Sequence, residues 1–287
     1  MLPLSVITVT HNHADYIGRC LLALVPEVQA LGGEVIAIDN RSDDASATII
    51  RQFPSVKLVV NRERRGFSAN NNYGMAIAQG RYLLLLNPDT EVHPGALQTL
   101  IQFMDAQPQV GMCGAQLLFP DGSVQPSPRR FPTVGSVIAR RTPIRRFLKQ
   151  SALNRRHLML DLTHMTATQQ QPFAVDWLLG ACMFIRREVL ETVGPLDEGF
   201  FLYVEDIDWA QRLHRADWEI YYVPSAKITH HHLAVSDKQL FSRHMWLHLQ
   251  SMVRYARRYL VPPIPGLKLN QIHTAIWDSA QSGNSQH

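Results

Sequence analysis

The sequence predicts an α/β fold in which a mostly parallel sheet is covered by helices. Its 287 residues are 46% hydrophobic and 18% charged, enough to bury a full core in one large domain or a domain with an appendage. Short β-branched apolar runs alternate with segments of helical periodicity, and the connections between them are short. Such alternation is typical of parallel sheets built from strand–helix–strand units.

The N-terminal segment contains two predicted strands and the helix between them. "LSVITVT" (4–10) is β-branched and apolar, and "EVIAIDN" (34–40) is a second buried strand that ends on Asp39. Between these strands, apolar residues recur at helical spacing at Ile17, Leu21, Leu24, Val25 and Val28.

The next segment repeats this alternation. Ser42 and Asp43 are good N-cap residues for a second helix, which Pro54 ends. "VKLVVN" is then a third strand, "GFSANNNYGMAIAQG" a loop entering a helix, and "RYLLLL" a fourth strand. Residues 95–119 supply a further helix and the strand-like "VGMCGAQLLF".

Polar residues follow three of these strands at the point where each ends. They are Thr10-His11-Asn12, Asp39-Asn40-Arg41 and Asn87-Pro88-Asp89. Asn, Pro and Asp are ordinary turn residues, so a surface turn explains the third group simply. However, ligands of open parallel sheets bind outside the carboxyl ends of the strands, so three polar groups at one rim also predict a ligand site. Because Pro88 fixes the backbone and has no N–H to satisfy, the same turn can hold Asp89 toward that rim.

Composition indicates a protein made and kept in the cytoplasm. No window approaches the run of about 18 apolar residues that a spanning helix needs. The N-terminus has neither the basic start nor the cleavage-type end of a signal peptide. Cys20, Cys113 and Cys182 lack the spacing of disulfide frameworks or zinc sites and are expected to be buried thiols.

Positive charge is concentrated in one segment, although the formal net charge is only +4. No acidic residue occurs between Asp121 and Asp161, where the basic residues are Arg129, Arg130, Arg140, Arg141, Arg145, Arg146, Lys149, Arg155 and Arg156. Two interpretations fit: a solvated loop, or a surface that binds the phosphate of a lipid head group or of a polyanionic substrate. Nucleic acid is not an expected partner.

Three carboxylates cluster in "YVEDIDWAQRL", at Glu205, Asp206 and Asp208. Their neighbours are mostly aromatic and aliphatic, and burying a carboxylate is costly unless it is paired or liganded. A helix N-terminus, where acids favour the dipole, is one explanation. A general base whose pKa is tuned by its neighbours is the functional one.

A histidine run follows the strand-like "WEIYYVPSAKI". Adjacent residues of an extended segment face opposite sides, so at most two of His230, His231 and His232 reach one site. A single histidine here is more simply structural. Paired with Asp89, however, an imidazole would suit a divalent cation that also binds phosphate oxygens, with Mn²⁺ accepting nitrogen more readily than Mg²⁺.

Five stretches together resemble the family 2 glycosyltransferases of the GT-A fold. They are "SVITVTHN", "IAIDNRSDD", "GFSANNNYGMAIAQGRYLLLLNPDTEV", "DWLLGACMFIRREVLETVGPLDEGFFLYVEDIDWAQRL" and "VPSAKITHHH". The resemblance spans residues 4–260 and is closest to bacterial rhamnosyltransferases that build O-antigen and related cell-wall polysaccharides. It implies a Rossmann-like GT-A sheet, a nucleotide-sugar donor and a divalent cation, Mn²⁺ or Mg²⁺.

The resemblance also implies roles for single residues. The nucleotide and its sugar would contact Thr8, Thr10, Asn12, Asp39, Asp43, Asn70 and Asn71. Trp177, Gly180 and Ala181 resemble the wall where the donor sugar and the acceptor meet. Asp206, in its pair with Glu205, corresponds to the catalytic base that deprotonates the acceptor in a single, inverting displacement.

The same resemblance implies a metal site. Asp89 would hold the cation that bridges the diphosphate, with His230 as a late metal or diphosphate ligand. Asn87 stands where the family's Asp-x-Asp element has its first acid, and one carboxylate binds a divalent ion more weakly than two. The metal is therefore expected to be loosely held, brought in with the substrate or supplemented by His230, and His231 stays open as a substitute for His230.

Residues 240–261 predict an amphipathic C-terminal helix. Its apolar face would comprise Phe241, Met245, Leu249, Met252, Ala256 and Tyr259, with Arg254, Arg257 and Arg258 grouped elsewhere. Docking on the catalytic domain and lying on an anionic membrane both fit this pattern. We expect a GT-A catalytic domain over 1–235, with a basic, irregular insertion at 122–170, and a helix with a mobile tail over 236–287.

The expected function is transfer of a sugar, most simply L-rhamnose from dTDP-β-L-rhamnose, onto a lipid-linked cell-surface glycan. Other donors, such as UDP-galactofuranose or a UDP- or dTDP-hexose, and a non-catalytic glycan-binding or scaffold role are the alternatives. Sugar nucleotidylyltransferases share a related sheet, but "THNHADY" lacks the Gly-rich basic phosphate loop that they would show after the first strand. The oligomeric state is left open.

Overall fold

The computed structural model describes residues 1–132, 158–159, 170–231 and 243–260. In these ranges the strands are β1 (Leu2–Thr10), β2 (Glu34–Asp39), β3 (Val56–Val60), β4 (Gly80–Leu86), β5 (Thr90–Val92), β6 (Val110–Leu118), β7 (Val124–Gln125), β8 (Pro128–Arg129), β9 (Phe173–Ala174), β10 (Trp177–Leu178), β11 (Cys182–Arg186) and β12 (Glu219–His230). The helices are α1 (Ala14–Ala30), α2 (Ser46–Ile50), α3 (Phe67–Ile77), α4 (Ala96–Ala106), α5 (Glu188–Thr192), α6 (Glu205–Arg215) and α7 (Arg243–Tyr259).

A mixed sheet forms the centre of the fold, in the order β3-β2-β1-β4-β11-β6-β12-β5. Neighbouring strands are parallel from β3 to β4 and again between β6 and β12, as the alternating pattern predicts. β11, however, runs antiparallel to both β4 and β6, and joins the two parallel regions. The predicted α/β class with a mostly parallel sheet is confirmed, whereas an all-parallel sheet would be wrong.

The sheet is covered on both faces, which explains why β4 is apolar throughout. Leu84 and Leu86 belong to a core that also contains residues of α1 and α4. Leu83 and Leu85 belong to a second core with residues of α3 and α6. A strand buried on both faces reads as a continuous hydrophobic run rather than an alternating one.

The first two helices differ in how well the sequence predicted them. All five apolar positions predicted for α1 are buried. Ser42 and Asp43 do not cap the second helix, which begins only at Ser46. Asp44 serves both helix starts instead, because one of its carboxylate oxygens accepts the N–H of Ser46 and the other that of Ala14. The N-cap prediction was therefore wrong by several residues.

Helix α7 is correctly predicted, but its buried face is rotated from the expected one. Ser251 and Tyr255 are buried, whereas Leu249 is 39% exposed and lies beside the exposed Trp246 and Val253. Met252 and Tyr259 pack against the core as predicted, whereas the prediction was wrong for Leu249. Among the described helices, none combines the length and hydropathy needed to cross a bilayer.

Some predictions concern residues outside the described ranges. These residues are Phe241, His232, the basic residues from Arg140 to Arg156 and the tail after Leu260. The three cysteines are all described, and each is a buried free thiol, as expected.

Candidate active site

The carboxyl ends of β1, β2 and β4 form one rim of the sheet. In the strand register Thr10 lies opposite Asp39, and Thr8 lies opposite Leu86, the residue that precedes Asn87. The three polar groups that follow these strands in the sequence therefore meet at the same edge, as their positions predicted.

Asp39 is buried at this rim with one oxygen engaged and one free. Its Oδ1 accepts the backbone N–H of Ser42 at 3.0 Å, while its Oδ2 is buried without a hydrogen-bond partner. A buried carboxylate oxygen without a donor is costly, which makes it suited to accept an N–H from a ligand. The hydroxyls of Thr8 and Thr10 are likewise buried and have no partner.

Asn12 and Asp43, both expected near the nucleotide, tie two loops of the rim together. The side-chain oxygen of Asn12 accepts the N–H of Asp43 at 2.8 Å, and the N–H of Asn12 donates to the Ser42 hydroxyl. Asn12 has a φ of 58°, a left-handed conformation that asparagine tolerates better than most residues. These residues fix the shape of the rim, and Asp43 is exposed.

Asn70 and Asn71 are buried at the start of α3 and bind their own surroundings. Asn70 accepts from Asn61 at 2.6 Å and donates to the carbonyl of Gly66 at 2.9 Å. Asn71 donates to the carbonyl of Phe67. Their visible role is to hold the loop between β3 and α3 against the rim, so contact with the nucleotide sugar stays a prediction.

The turn after β4 is joined to the segment that precedes β11. The N–H of Asn87 donates to the carbonyl of Ala181 at 3.0 Å. The next residue back, Gly180, donates its N–H to the carboxylate of Asp206 at 3.1 Å. Two adjacent residues thus connect the Asn87-Pro88-Asp89 turn to the first turn of α6.

Asp89 is buried and faces an imidazole. Its Oδ1 lies 3.4 Å from Nε2 of His230, and the other ring nitrogen of His230 lies 2.8 Å from Oε1 of Gln125. Burial by itself would raise the pKa of Asp89, yet the hydrogen bond and charge of His230, with His13 nearby, hold the pKa below its usual value.

The residues around Asp89 fit a divalent cation that is shared with a substrate. A carboxylate and an imidazole are ligands that Mn²⁺ accepts, and the Gln125 contact orients the ring as outer-shell partners of metal-binding histidines do. Within the described ranges, no group of three or more His, Cys, Asp or Glu side chains forms a complete metal cage. The protein therefore supplies two ligands at most from this set, which leaves positions for phosphate oxygens and water.

The adjacent histidines His230 and His231 contact different carboxylates, Asp89 and Glu91. His231 lies 2.7 Å from Oε1 of Glu91 and packs against the ring of Tyr16, so its side chain is engaged elsewhere. Of the two candidates that the sequence left open, His230 is the one beside Asp89.

His13 is a residue near this site that sequence reasoning missed. Its Nδ1 accepts the N–H of His11 at 3.2 Å. Burial lowers the pKa of His13, and the charge of Asp89 opposes that shift. The available signal was the pair of histidines flanking Asn12 at the end of β1.

Helix α6 begins at Glu205 and carries the acid cluster in its first turn. The acids therefore lie at a helix N-terminus, as one of the two explanations predicted, and the role of a general base stays a prediction. Asp206 accepts from the N–H groups of Gly180 and of its neighbour Ile207. Burial nevertheless outweighs these bonds and raises the pKa of Asp206 to about 6.

Glu205 has a different environment from Asp206. It is buried, and its Oε2 has no hydrogen-bond partner. Burial and the adjacent charge of Asp206 raise the pKa of Glu205 well above its usual value. Both acids of the pair therefore hold their protons to higher pH than ordinary carboxyl groups do.

Trp177 lies in a small two-stranded sheet. Its strand β10 pairs with β8, and its indole N–H donates to the carbonyl of Arg130 at 3.0 Å. Arg129, on β8, lowers the pKa of Asp206 by its charge, although burial dominates. Gly180 contacts the Asp206 carboxylate directly, whereas the roles expected for Trp177 and Ala181 stay predictions.

The fold and this rim define a glycosyltransferase. The chain belongs to the family described as glycosyl transferase family 2, whose model matches residues 5–194. Asp206 and His230 lie beyond the matched range, so their roles rest on the geometry described above.

Two curated relatives are rhamnosyltransferases. The chain is 28% identical over 253 residues to the N-acetylglucosaminyl-diphospho-decaprenol L-rhamnosyltransferase of Mycobacterium tuberculosis (strain ATCC 25618 / H37Rv), covering 79% of this chain and 76% of that protein. It is 26% identical over 268 residues to the rhamnosyltransferase WbbL of Escherichia coli (strain K12), covering 88% and 92%.

A solved structure supports the fold. The crystal structure of GalNAc-T7 with UDP, GalNAc and Mn²⁺ matches with a TM-score of 0.60 and 16% sequence identity. The match covers 80% of this chain and 43% of that chain. At this identity the likeness shows the GT-A fold alone.

Proposed function

We propose that this glycosyltransferase moves L-rhamnose from dTDP-β-L-rhamnose, with inversion, onto a lipid-linked cell-surface glycan. The observation that carries the catalytic part is the connection of Asp206 to the Asp89 turn through Gly180 and Ala181. The choice of sugar is supported by the names of the two relatives, both of which give rhamnose as the sugar that is transferred.

The nucleotide would bind at the Asp39 end of the rim. The free oxygen of Asp39 would accept the ring N–H of thymine or uracil, bases that present a single N–H donor there. The unpartnered hydroxyls of Thr8 and Thr10 would line the same pocket. This arrangement explains why polar groups without partners are tolerated inside an otherwise apolar strand.

Asp89 and His230 would hold the divalent cation, Mn²⁺ or Mg²⁺. When bound, the cation stabilises the negative charge that develops on the departing diphosphate. His230 is kept in place by Gln125, so its Nε2 stays directed at the Asp89 carboxylate. Asn87 offers an amide where the family's element has a carboxylate, and its backbone secures the turn through Ala181.

Asp206 would act as general base. A carboxylate with a pKa near 6 is ionised at neutral pH and basic enough to accept a proton from an acceptor hydroxyl as that oxygen attacks the anomeric carbon. The donor's C–O bond to the diphosphate breaks as the new bond forms on the opposite face, so the anomeric configuration inverts. No second ionised carboxylate is required for this single displacement.

A lipid-linked acceptor lies in a membrane, so the protein would have to contact an anionic membrane surface. Helix α7 would make this contact. Trp246, Leu249 and Val253 lie on one exposed face of this helix. An amphipathic helix whose exposed apolar side carries an aromatic residue matches the chemistry of a bilayer surface. The basic segment after Asp121 adds positive charge for the same partner.

Nucleotide-sugar binding tests the donor. Thermal unfolding would be followed with dTDP-rhamnose, UDP-galactofuranose, UDP-glucose and dTDP-glucose, each with and without Mn²⁺, because a ligand of the native state raises the midpoint. A shift selective for dTDP-rhamnose is expected. A shift with a UDP-sugar instead would mean that this sugar nucleotide, and not dTDP-rhamnose, is the donor. No shift with any of the four nucleotide sugars would contradict the proposed function.

Vesicle flotation tests the membrane contact. The protein should float with vesicles containing anionic lipid and not with neutral ones, and Trp246→Ser should reduce the bound fraction. Leu22→Ser is the matched control, since Leu22 is an exposed residue of α1, 67% accessible and remote in sequence from α7. Equal loss in both variants, or no binding of the wild type at low salt, would remove this part of the proposal.

A further inference from the structure

The segment that leads into α6 is held in an uncommon conformation. Tyr203 and Val204, the two residues directly before Glu205, have φ values of 69° and 73°. Left-handed backbone is unfavourable for non-glycine residues and most of all for a β-branched one, and it persists only where surrounding contacts fix it. Because Asp206 is the second residue of the helix, this segment sets where its carboxylate lies.

Helix α7 supplies contacts that hold this segment from one side. The hydroxyl of Ser251 donates to the carbonyl of Leu202 at 3.0 Å. The ring of His248 packs edge-on against Tyr203, with centroids 5.2 Å apart. Residues one turn apart on α7 thus contact the two residues that enter the left-handed stretch.

The beginning of the same loop is held by two arginines of α7. Asp197 accepts from Arg254 at 3.0 Å and from Arg258 at 3.0 Å. The Arg254 guanidinium also lies over the ring of Phe200, 5.3 Å from its centroid. The sequence left docking and membrane binding of this helix both open, and these pairs join Arg254 and Arg258 to the loop before α6 while both side chains stay partly exposed.

Asp208 joins α7 to the catalytic helix itself. It is fully buried, and its Oδ2 accepts from Arg212 of α6 at 2.9 Å. Its Oδ1 accepts from Arg258 at 3.1 Å and from the hydroxyl of Tyr259 at 2.7 Å. Both oxygens are therefore engaged away from the rim, and Asp208 has no oxygen left for substrate.

We propose that Asp208 is a positioning residue for Asp206: by binding Arg258 and Tyr259 it docks α7 against the loop before α6, which keeps that loop in the conformation that aims the base. The inference rests on the proposed function, in which Asp206 is the base. It assigns the third acid of the cluster a role distinct from those of the first two. It also makes α7 a part of the catalytic apparatus.

The expected consequence of loosening α7 is a change in the surroundings of Asp206. Among the residues that the structure describes, the charged groups that act electrostatically with Asp206 are Glu205 on the same helix and Arg129 on β8. Neither belongs to α7, so removing an α7 contact changes the hydration of Asp206 and not its charged neighbours. More water at a buried carboxylate lowers its pKa toward the ordinary value.

Arg258→Gln tests the proposal, with Arg257→Gln as the matched control on the same turn. Arg257 is exposed, and no ion pair of it occurs in the described part of the chain. In full-length Arg258→Gln we expect kcat to fall about tenfold or more with the donor KM within about twofold, since a small misplacement of a reacting group is costly. The acid limb of the kcat profile should move to lower pH, and amide exchange over 199–206 should accelerate. Arg257→Gln should show none of these changes.

Failure of the positioning role and failure of the proposed function would give different results. If Arg258→Gln loses activity with an unshifted acid limb and unchanged exchange over 199–206, the positioning role is overturned and the residue is only structural. If the wild type transfers no sugar, the proposed function fails, and exchange over 199–206 still decides whether α7 holds the loop. Should Arg258→Gln not fold, Tyr259→Phe removes only the hydroxyl bound to Asp208, and the same measurements on it support or overturn the positioning role in the same way.

Discussion

The backbone N–H of Gly180 donates to the carboxylate of Asp206, although the two residues are 26 positions apart. Gly180 precedes Ala181, whose carbonyl accepts from Asn87 at the other side of the rim. A main-chain donor cannot be removed by a side-chain substitution, so the base is aligned by the path of the backbone itself. Substitutions of the acids at this site should therefore change their chemistry without displacing the backbone that aligns them.

Asp206→Asn should abolish turnover while leaving the donor bound. General bases contribute about 10²–10⁴-fold to rate, so a loss of this size in kcat is expected. The nucleotide contacts at Asp39 are untouched, so the thermal shift produced by the donor should persist. A variant that retains wild-type kcat would exclude Asp206 as the base.

The pH profile of kcat should show an acid limb near pH 6. Asp206 accepts a proton only when ionised, and burial raises its pKa to about 6, so activity is present above that pH and is lost as the pH falls through it. Measurement of kcat from about pH 5 to 8 at saturating donor checks this. An acid limb near pH 4, the value of an ordinary carboxyl group, would contradict the effect of burial.

Glu205→Gln should keep most of the activity. Because burial and the charge of Asp206 disfavour the ionised form of Glu205, glutamine is a close substitute for its side chain, and we expect kcat within about threefold and an unshifted acid limb. Steady-state kinetics beside Asp206→Asn provide the comparison. A collapse of kcat equal to that of Asp206→Asn would mean that Glu205 is the ionised member of the pair.

Asp89→Asn should remove Mn²⁺ binding, and Glu91→Gln should not. Each of these carboxylates contacts a histidine. Asp89 is buried beside His230, whereas Glu91 is paired with His231 and its side chain is 37% exposed. Titration of Mn²⁺ by electron paramagnetic resonance, with the nucleoside diphosphate present, measures free and bound ion without relying on activity. Equal weakening in both variants would place the ion elsewhere.

The sequence was sufficient to predict features that depend on local pattern. The apolar run of β4 marked a strand buried on both faces, and the polar groups after three strands marked the rim because parallel strands end at one edge. The pairing of Asp89 with His230 came from the family resemblance and matches the 3.4 Å approach. Their roles in binding remain predictions.

The features that were missed depend on contacts between distant segments. The antiparallel course of β11 follows from its pairing with β4 and β6, which no local periodicity encodes. The rotated face of α7 follows from Asp197 and Asp208. The ion pairs and hydrogen bonds between these acids and α7 stabilise an orientation of the helix in which Leu249 is exposed. The nearness of His13 to Asp89 appears only once β1 and β4 lie side by side.

An insertion directly before strand β11 should be poorly tolerated. The strand is hydrogen-bonded along both edges, and the residues immediately before it contact both the Asp89 turn and Asp206. A residue added there would shift the strand's register and turn its side chains to the opposite face. An insertion before β11 would therefore disturb the main-chain connection between the Asp89 turn and Asp206.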